Sequence, residues 1–477
     1  MDIREFTERI FMHLPYVPND QQTQLIAALA KFCSEDMPSD SVFMLCGYAG
    51  TGKTSLTGAL VRALRDAMVP VVLMAPTGRA AKVLSTMAAG VATTIHRRIY
   101  RSSESGILLS HGEVADNPLQ NAVFIVDEAS MIGQESLDGR DNLLEDLIHY
   151  VYSGIGCRMI LIGDTAQLPP VGCEESPAMD VAVLRMYGLH VIRAVLTKTV
   201  RQREESGILY NATRLRRGLR RGPDRKGELI TPELILKDYS DVESVEGEDL
   251  EDSISASYSE FGEENTLLIT RSNRRATAYN LAIRSRILGR EEELCRGERL
   301  MVAKNNYLWS AKIKGLDFIA NGDMATVDRV YGVEEKYGLR FADVSITLPD
   351  RGGVSLDCKI MLSTLTSDNA TLPPEQLEQF YQAVLNDPSL FTESTSMKTR
   401  MRILRSDPYV AALQVKYAYA VTCHKSQGGQ WPHVYIDMGG IADEATRTVD
   451  FYRWLYTAIT RATTRVSFIA PQLKIVE

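Results

Sequence analysis

The sequence predicts an α/β chain with two parallel-sheet bodies and a smaller antiparallel β insertion in the second. Three observations carry this. Short, β-branched apolar runs alternate with helical stretches between residues 41 and 164. A second set of such runs appears at TLLIT (266–270), HVYID (433–437) and RVSFIA (465–470). Inside that second set, over 300–404, apolar and polar residues instead alternate between Gly-Asp and Pro-Asp turns. Continuous apolar runs suit strands covered by helices on both faces, whereas alternation suits strands with one wet face.

Taken in order, DQQTQLIAALAKFC (20–33) places Leu25, Ile26, Leu29 and Phe32 at helical spacing, and the strand-like VFMLCG follows. After a glycine-rich loop, LTGALVRALRDAM (56–68) is helical, and VPVVLMAP is a buried-strand run. AVFIVDE (122–128) and RMILIGD (158–164) repeat that type. Four strands separated by helical segments imply a doubly wound sheet that binds ligands at its carboxyl edge. Within 97–120, the Ser105-Gly106 turn signal separates two strand-capable pieces. That pattern reads as an inserted hairpin or, alternatively, as an irregular surface loop. Residues 243–265 are acidic and polar, the composition of a solvated helix and linker. MVAKNNY, NGDMATVDRVYGV and LRFADVSITL read as strands of a small barrel, with LPPEQLEQFYQAVLND as a helix among them.

The totals bound the function classes. A chain of 477 residues exceeds one core and implies three or four folding units. Its 45% hydrophobic and 24% charged content allows ordinary cores and argues against disorder. A net charge of −8 excludes a uniformly basic coat but permits a local basic groove. The seven cysteines form no CxxC pair, and no histidine stands at zinc-finger spacing, so reduced thiols and no zinc are expected. The charged N-terminus and the lack of any long uncharged apolar run imply no export signal and no membrane span, hence a cytoplasmic chain.

GYAGTGKT (Gly47 to Thr54) fits the phosphate-loop pattern, and it lies after a strand and before a helix. Bare N–H groups and a helix N-terminus suit phosphate oxygens, Lys53 suits the β/γ oxygens, and the Thr54 hydroxyl suits Mg²⁺. The nucleotide set is therefore Gly47, Ala49, Gly50, Thr51, Gly52, Lys53, Thr54 and Ser55. FIVDEAS adds Asp127 as metal carboxylate and Glu128 as the group that polarises water, and LIGDTAQLPPVG adds the Gln167 amide.

APTGRAAKVL (75–84), TTIHRR (93–98), VDEASM (126–131), GDTAQLPPVG (163–172), LTKTVRQ (196–202), YAVTCHKSQGGQW (419–431) and YTAITRA (456–462) together resemble the ordered motifs of superfamily 1 DNA helicases. The resemblance is nearest to the RecD-like and Dda-like branch. It implies two RecA-like domains: 1–202, with 97–120 as a pin, and 203–299 joined to 405–477, with 300–404 as an SH3-like insertion. It further implies that ATP lies between them with Arg201 and Arg461 beside the γ-phosphate, and that Gln22, or Gln21 in its place, contacts the base. Thr77, Arg79, Thr94, His96, Thr422, His424 and Lys425 are the implied contacts to single-stranded DNA or to a single-strand/duplex junction. The implied activity is 5′→3′ translocation and unwinding with ATP and Mg²⁺, by a chain acting as a monomer. A protein-remodelling ATPase, or an ATPase that binds nucleic acid as a switch or serves a nuclease, is the alternative.

Overall fold

The computed structural model describes residues 2–476 apart from 35, 36, 39, 101–113, 134–141, 199–205, 225, 226, 312, 314, 315, 317, 393, 394 and 472. The first body is built on a six-stranded parallel sheet, in the spatial order Ala92–Thr94, Val71–Ala75, Val123–Val126, Arg158–Gly163, Ser41–Gly47, His190–Leu196. Every residue of Ser41–Gly47 is buried, as its unbroken apolar run requires. Two of the six strands, Ala92–Thr94 and His190–Leu196, were not legible as apolar runs. They are the sheet's edges: Ala92–Thr94 is three residues long, and exposed His190 and Arg193 interrupt His190–Leu196. Because Ser41–Gly47 pairs with both Arg158–Gly163 and His190–Leu196, its glycine loop opens where the ends of those two strands converge.

The second body holds a five-stranded parallel sheet in the order Ala420–Thr422, Thr266–Thr270, Trp431–Asp437, Ala462–Ile469, Val242–Val245. The last of these corrects the reading of 243–265 as helix and linker. Val242–Val245 pairs along Ala462–Ile469, and only then does helix Leu250–Phe261 begin. Two valines bury while Glu243 faces solvent, so an edge strand has the composition of a linker.

A closed five-stranded barrel is formed by Arg299–Val302, Met324–Lys336, Leu339–Leu348, Val354–Met361 and Leu413–Tyr417, with helices Pro374–Leu385 and Met397–Ser406 before its last strand. Leu300, Val327, Val344, Ile360 and Val415 fill its interior from alternate positions. The barrel's first and last strands lie at or beyond the margins of 300–404 and lead directly out of and back into the second sheet. That junction is pinned by a buried bidentate pair, Arg284 to Glu298 at 3.0 and 2.9 Å, onto which Tyr419 donates at 2.8 Å. All seven cysteines are free thiols. Among the described residues no helix is long and apolar enough to cross a membrane.

Candidate nucleotide site and strand interface

The glycine loop owes its shape to two left-handed residues, Gly50 (φ 73°) and Gly52 (φ 83°), which side chains with a Cβ adopt only under strain. Gly52 caps helix Lys53–Asp66, so the helix N-terminus faces the loop interior. A Cβ on Gly47 would meet Lys53 Cγ and Cδ at 2.6 Å; glycine here is what lets the lysine stem cross the loop. The Lys53 ammonium donates to the carbonyls of Gly47 and Tyr48. Buried Gln22 braces the loop from below, its Nε2 donating to Thr51 O at 3.0 Å and its Oε1 accepting the Asn19 N–H in a capping box. Gln21 accepts the N–H groups of Thr197 and Lys198 at 3.0 and 2.9 Å. A base contact from either glutamine requires one of these bonds to be exchanged.

Asp127 and Glu128 follow directly on Val123–Val126. Glu128 is left-handed (φ 54°), a conformation that costs a non-glycine residue about 1 kcal/mol or more, and its N–H donates to Asp127 Oδ1 at 2.9 Å. Burial, and then the Glu128 carboxylate, push the Asp127 carboxyl up to about 6, against the opposing pull of the Glu128 N–H and Lys53. A half-buried carboxylate that neighbouring protein cations leave undercompensated suits a divalent cation. With the Thr54 hydroxyl it offers the hard oxygen donors that Mg²⁺ takes alongside substrate phosphate and water.

Gln167 is only 6% exposed, and its Oε1 has no hydrogen-bond partner among the described residues. An orphaned buried acceptor is costly and suits a water that donates to it. The loop carrying it is held by the second body: Leu168 N–H donates to Thr457 Oγ1 at 2.8 Å and Gln427 Nε2 donates to Leu168 O at 2.7 Å.

Helix Val449–Ile459 of the second body reaches the phosphate loop directly. Tyr456 Oη accepts the Ala49 N–H at 2.9 Å and donates to buried Asp164 at 2.7 Å, so one hydroxyl ties the loop, the GDTAQ turn and the opposite domain together. Sequence reading did not single out this tyrosine; its signal was its place in YTAITRA. Tyr456→Phe is expected to destabilise the chain by about 1–3 kcal/mol, the cost of leaving a buried carboxylate oxygen and a half-buried N–H unpaired, and to lower the denaturant midpoint at unchanged slope.

Two residues past that helix stands Arg461, 4% exposed. Its Nε donates to Thr457 O and its Nη1 to Gly429 O, each at 3.2 Å, and it has no carboxylate partner among the described residues. A buried guanidinium compensated only by carbonyl dipoles is suited to an anionic ligand. Arg201 lies outside the described residues.

The strand candidates divide. Thr77 and Thr94 are helix caps, accepting from Ala80 N–H at 3.2 Å and Arg97 N–H at 3.3 Å. The half-buried His96 ring rests 5.8 Å from Tyr100. Tyr100 itself donates to Asp146 at 2.6 Å, which favours a packing role over base stacking. Thr422 precedes the short helix Cys423–Ser426, on which His424 is exposed and Lys425 half-buried, and desolvation lowers the pKa of both. Lys416 on the barrel strand, missed by sequence reading, is lowered to about 8 by burial and then by Lys425. The Lys416 ammonium donates to Ser367 O at 2.6 Å, and Asp368 partly offsets the lowering. Arg79 is the exception: its guanidinium lies 4.0 Å over the Trp431 ring. A polar cleft of about 290 Å³ runs between helix Gly78–Met87 and the barrel, lined by Lys82, Thr93, Thr94, Arg97, Phe318 and Arg351. At the base of the expected pin, Tyr100 and Val114 form an antiparallel bridge; its tip, 101–113, lies outside the described residues.

The AAA domain family matches residues 18–227, and the UvrD-like helicase C-terminal domain family matches residues 417–469. The ATP-dependent RecD2 DNA helicase of Deinococcus radiodurans is 35% identical over 137 residues, which cover 29% of this chain and 17% of that protein. The ATP-dependent DNA helicase dda of Enterobacteria phage T4 is 31% identical over 176 residues, covering 36% of this chain and 37% of that one. The chain thus spans less than two fifths of the length of these curated relatives. Among solved structures, Pif1 helicase from Bacteroides in complex with ADP-AlF3 and ssDNA aligns over 95% of this chain and 92% of that one, at 15% identity and a TM-score of 0.47.

Proposed function

Because the chain is related to the superfamily 1 helicases of the RecD-like and Dda-like branch, we propose that it is an ATP- and Mg²⁺-dependent DNA helicase that moves 5′→3′ on single-stranded DNA and unwinds duplex. The observation that carries this reading is the joint between the two bodies at the phosphate loop. Ala49, Tyr456 and Asp164 form one hydrogen-bonded chain, five residues from a buried arginine that has no carboxylate partner among the described residues. A nucleotide held by Gly47 to Ser55 is then touched by both bodies, and a change in its phosphates changes how they are held.

In this reading Lys53 and Arg461 compensate phosphate charge, Thr54 and Asp127 hold Mg²⁺, Glu128 takes the proton of the attacking water, and Gln167 orients that water. Mg²⁺, when bound, neutralises β- and γ-oxygen charge. Arg201 is assigned to the γ-phosphate by the resemblance alone. Thr77, Thr94, His96, Thr422, His424 and Lys425 make the strand grip, with the barrel as the SH3-like insertion and 97–120 as the pin. Opening each base-pair step costs roughly 0.6–2.2 kcal/mol, so a wedge behind a directional motor suffices.

The test is strand displacement on duplexes carrying a 5′ or a 3′ single-stranded overhang. ATP-dependent release from the 5′-overhang substrate alone is expected. No release from either, with ATP hydrolysis unaffected by single-stranded DNA, would leave the protein-remodelling alternative as the better reading.

A further inference from the structure

The family resemblance assigns Arg79 to the strand, and the structure sets it against an aromatic ring. The guanidinium stacks 4.0 Å over the Trp431 ring, which is itself 1% exposed. Arg79 belongs to the first body and Trp431 to the second, so the stack bridges them.

The segment from Gly428 to Trp431 is closely fitted on that side. Gly428 is left-handed (φ 73°), and a Cβ there would lie 2.9 Å from Thr77 Oγ1 and 3.2 Å from Ala80 Cβ. At Gly429 a Cβ would meet the Trp431 ring at 2.5 Å and Arg79 Cδ at 3.0 Å. The same few residues hold Arg461 on their other side. Gly429 O accepts Arg461 Nη1 at 3.2 Å, and the Trp431 N–H donates to Arg461 O at 2.9 Å. Just upstream, Gln427 anchors Leu168, the neighbour of Gln167, and His424 and Lys425 stand in the short helix before it. A displacement of this segment therefore moves Arg461 with it.

Resting on the helicase reading above, we propose that Arg79 is a positioning residue: its stack on Trp431 sets the Gly428–Trp431 segment, and through it Arg461, so that strand occupancy is transmitted to nucleotide turnover. The stack engages the face of the guanidinium and not its in-plane N–H groups, so the salt dependence of strand affinity is what separates a positioning role from a phosphate contact. The contribution of Arg79 appears in the coupling between the two ligands and not in strand affinity.

The experiment is a double-mutant cycle on the full chain with Arg79→Ala, Trp431→Leu and the pair. ATP hydrolysis is measured with and without saturating oligothymidylate, and fluorescein-oligothymidylate affinity is measured across salt concentrations. Each single variant is expected to lower the stimulation ratio by about 2- to 30-fold, the span a cation–π contact converts to. The double variant is expected to lose no more than the worse single one, because both act through one contact. The slope of log affinity against log salt should stay that of the parent. Losses that multiply, a stimulation ratio left at the parental value by Arg79→Ala, or a slope shallower by about 0.7, the share of one phosphate contact on a single strand, would each overturn the proposal. Because Trp431 is a core residue, Arg79→Lys provides a variant free of cavity formation; it keeps the charge, weakens the stack and should lower the ratio with the slope intact. If the parental chain shows no stimulation by oligothymidylate at all, it is the helicase reading that fails, and the failure is visible before any variant is made.

Discussion

Glu128→Gln is expected to bind ATP as the parent does and to lose turnover by about 10²–10⁴, the contribution of a positioned general base. The substitution keeps shape and length, so the left-handed backbone at φ 54° and the N–H donated to Asp127 Oδ1 persist. What changes is proton affinity. The parental carboxylate can take a proton from water and the amide cannot. Removing its charge also relieves the second of the two effects that raise the Asp127 carboxyl, so the metal carboxylate becomes more fully ionised and cation binding is retained or improved. Equilibrium binding of a fluorescent ATP analogue with Mg²⁺, beside steady-state phosphate release, separates the two. Hydrolysis near the parental rate would remove Glu128 from the base role. A parallel collapse of nucleotide affinity would show instead that the residue holds the loop.

How far the sequence disclosed this arrangement depended on whether a residue's task leaves a local mark. The glycine loop did, because a backbone with two left-handed positions and a lysine stem laid across Gly47 tolerates few other residues. Interior strands did, because a fully buried strand must be apolar at every position. Edge strands did not: Val242–Val245 keeps Glu243 in water and has the composition of a linker, and in His190–Leu196 the exposed His190 and Arg193 break the apolar run. The contacts that Gln22 and Arg79 make were hidden for a different reason. Each is made to a partner distant in sequence, the Thr51 carbonyl within the first body and the Trp431 ring of the second, and no spacing rule on one chain segment reveals a contact with another segment. Tyr456 was equally hidden, although it touches both the loop and Asp164. Lys416 lay within a barrel strand, where a lysine reads as a solvent-facing residue until the fold places it near Lys425.

Arg461→Ala is expected to reduce turnover by about 10³–10⁵, the range for an arginine that reaches transferring phosphate from a second body, with strand affinity left close to that of the parent. The size follows from its setting. The guanidinium is 4% exposed and, among the described residues, donates to the Thr457 and Gly429 carbonyls and to no carboxylate, so in this low-dielectric position its charge acts on a phosphate with little screening. Truncation also frees the Gly429 carbonyl and loosens the segment that Trp431 anchors, which adds to the loss. Arg461→Lys separates these effects. A lysine keeps the charge but cannot hold both carbonyls with a planar fork, so turnover should recover only partly, while the unfolding midpoint returns toward the parental value. Single-turnover hydrolysis at saturating ATP measures the chemical effect directly. If Arg461→Ala hydrolyses ATP at the parental rate with oligothymidylate bound, the arginine does not serve the phosphate. The buried cation would then be a brace for the Gly428–Trp431 segment, and the two bodies would have to communicate through Tyr456 and the Leu168 loop instead.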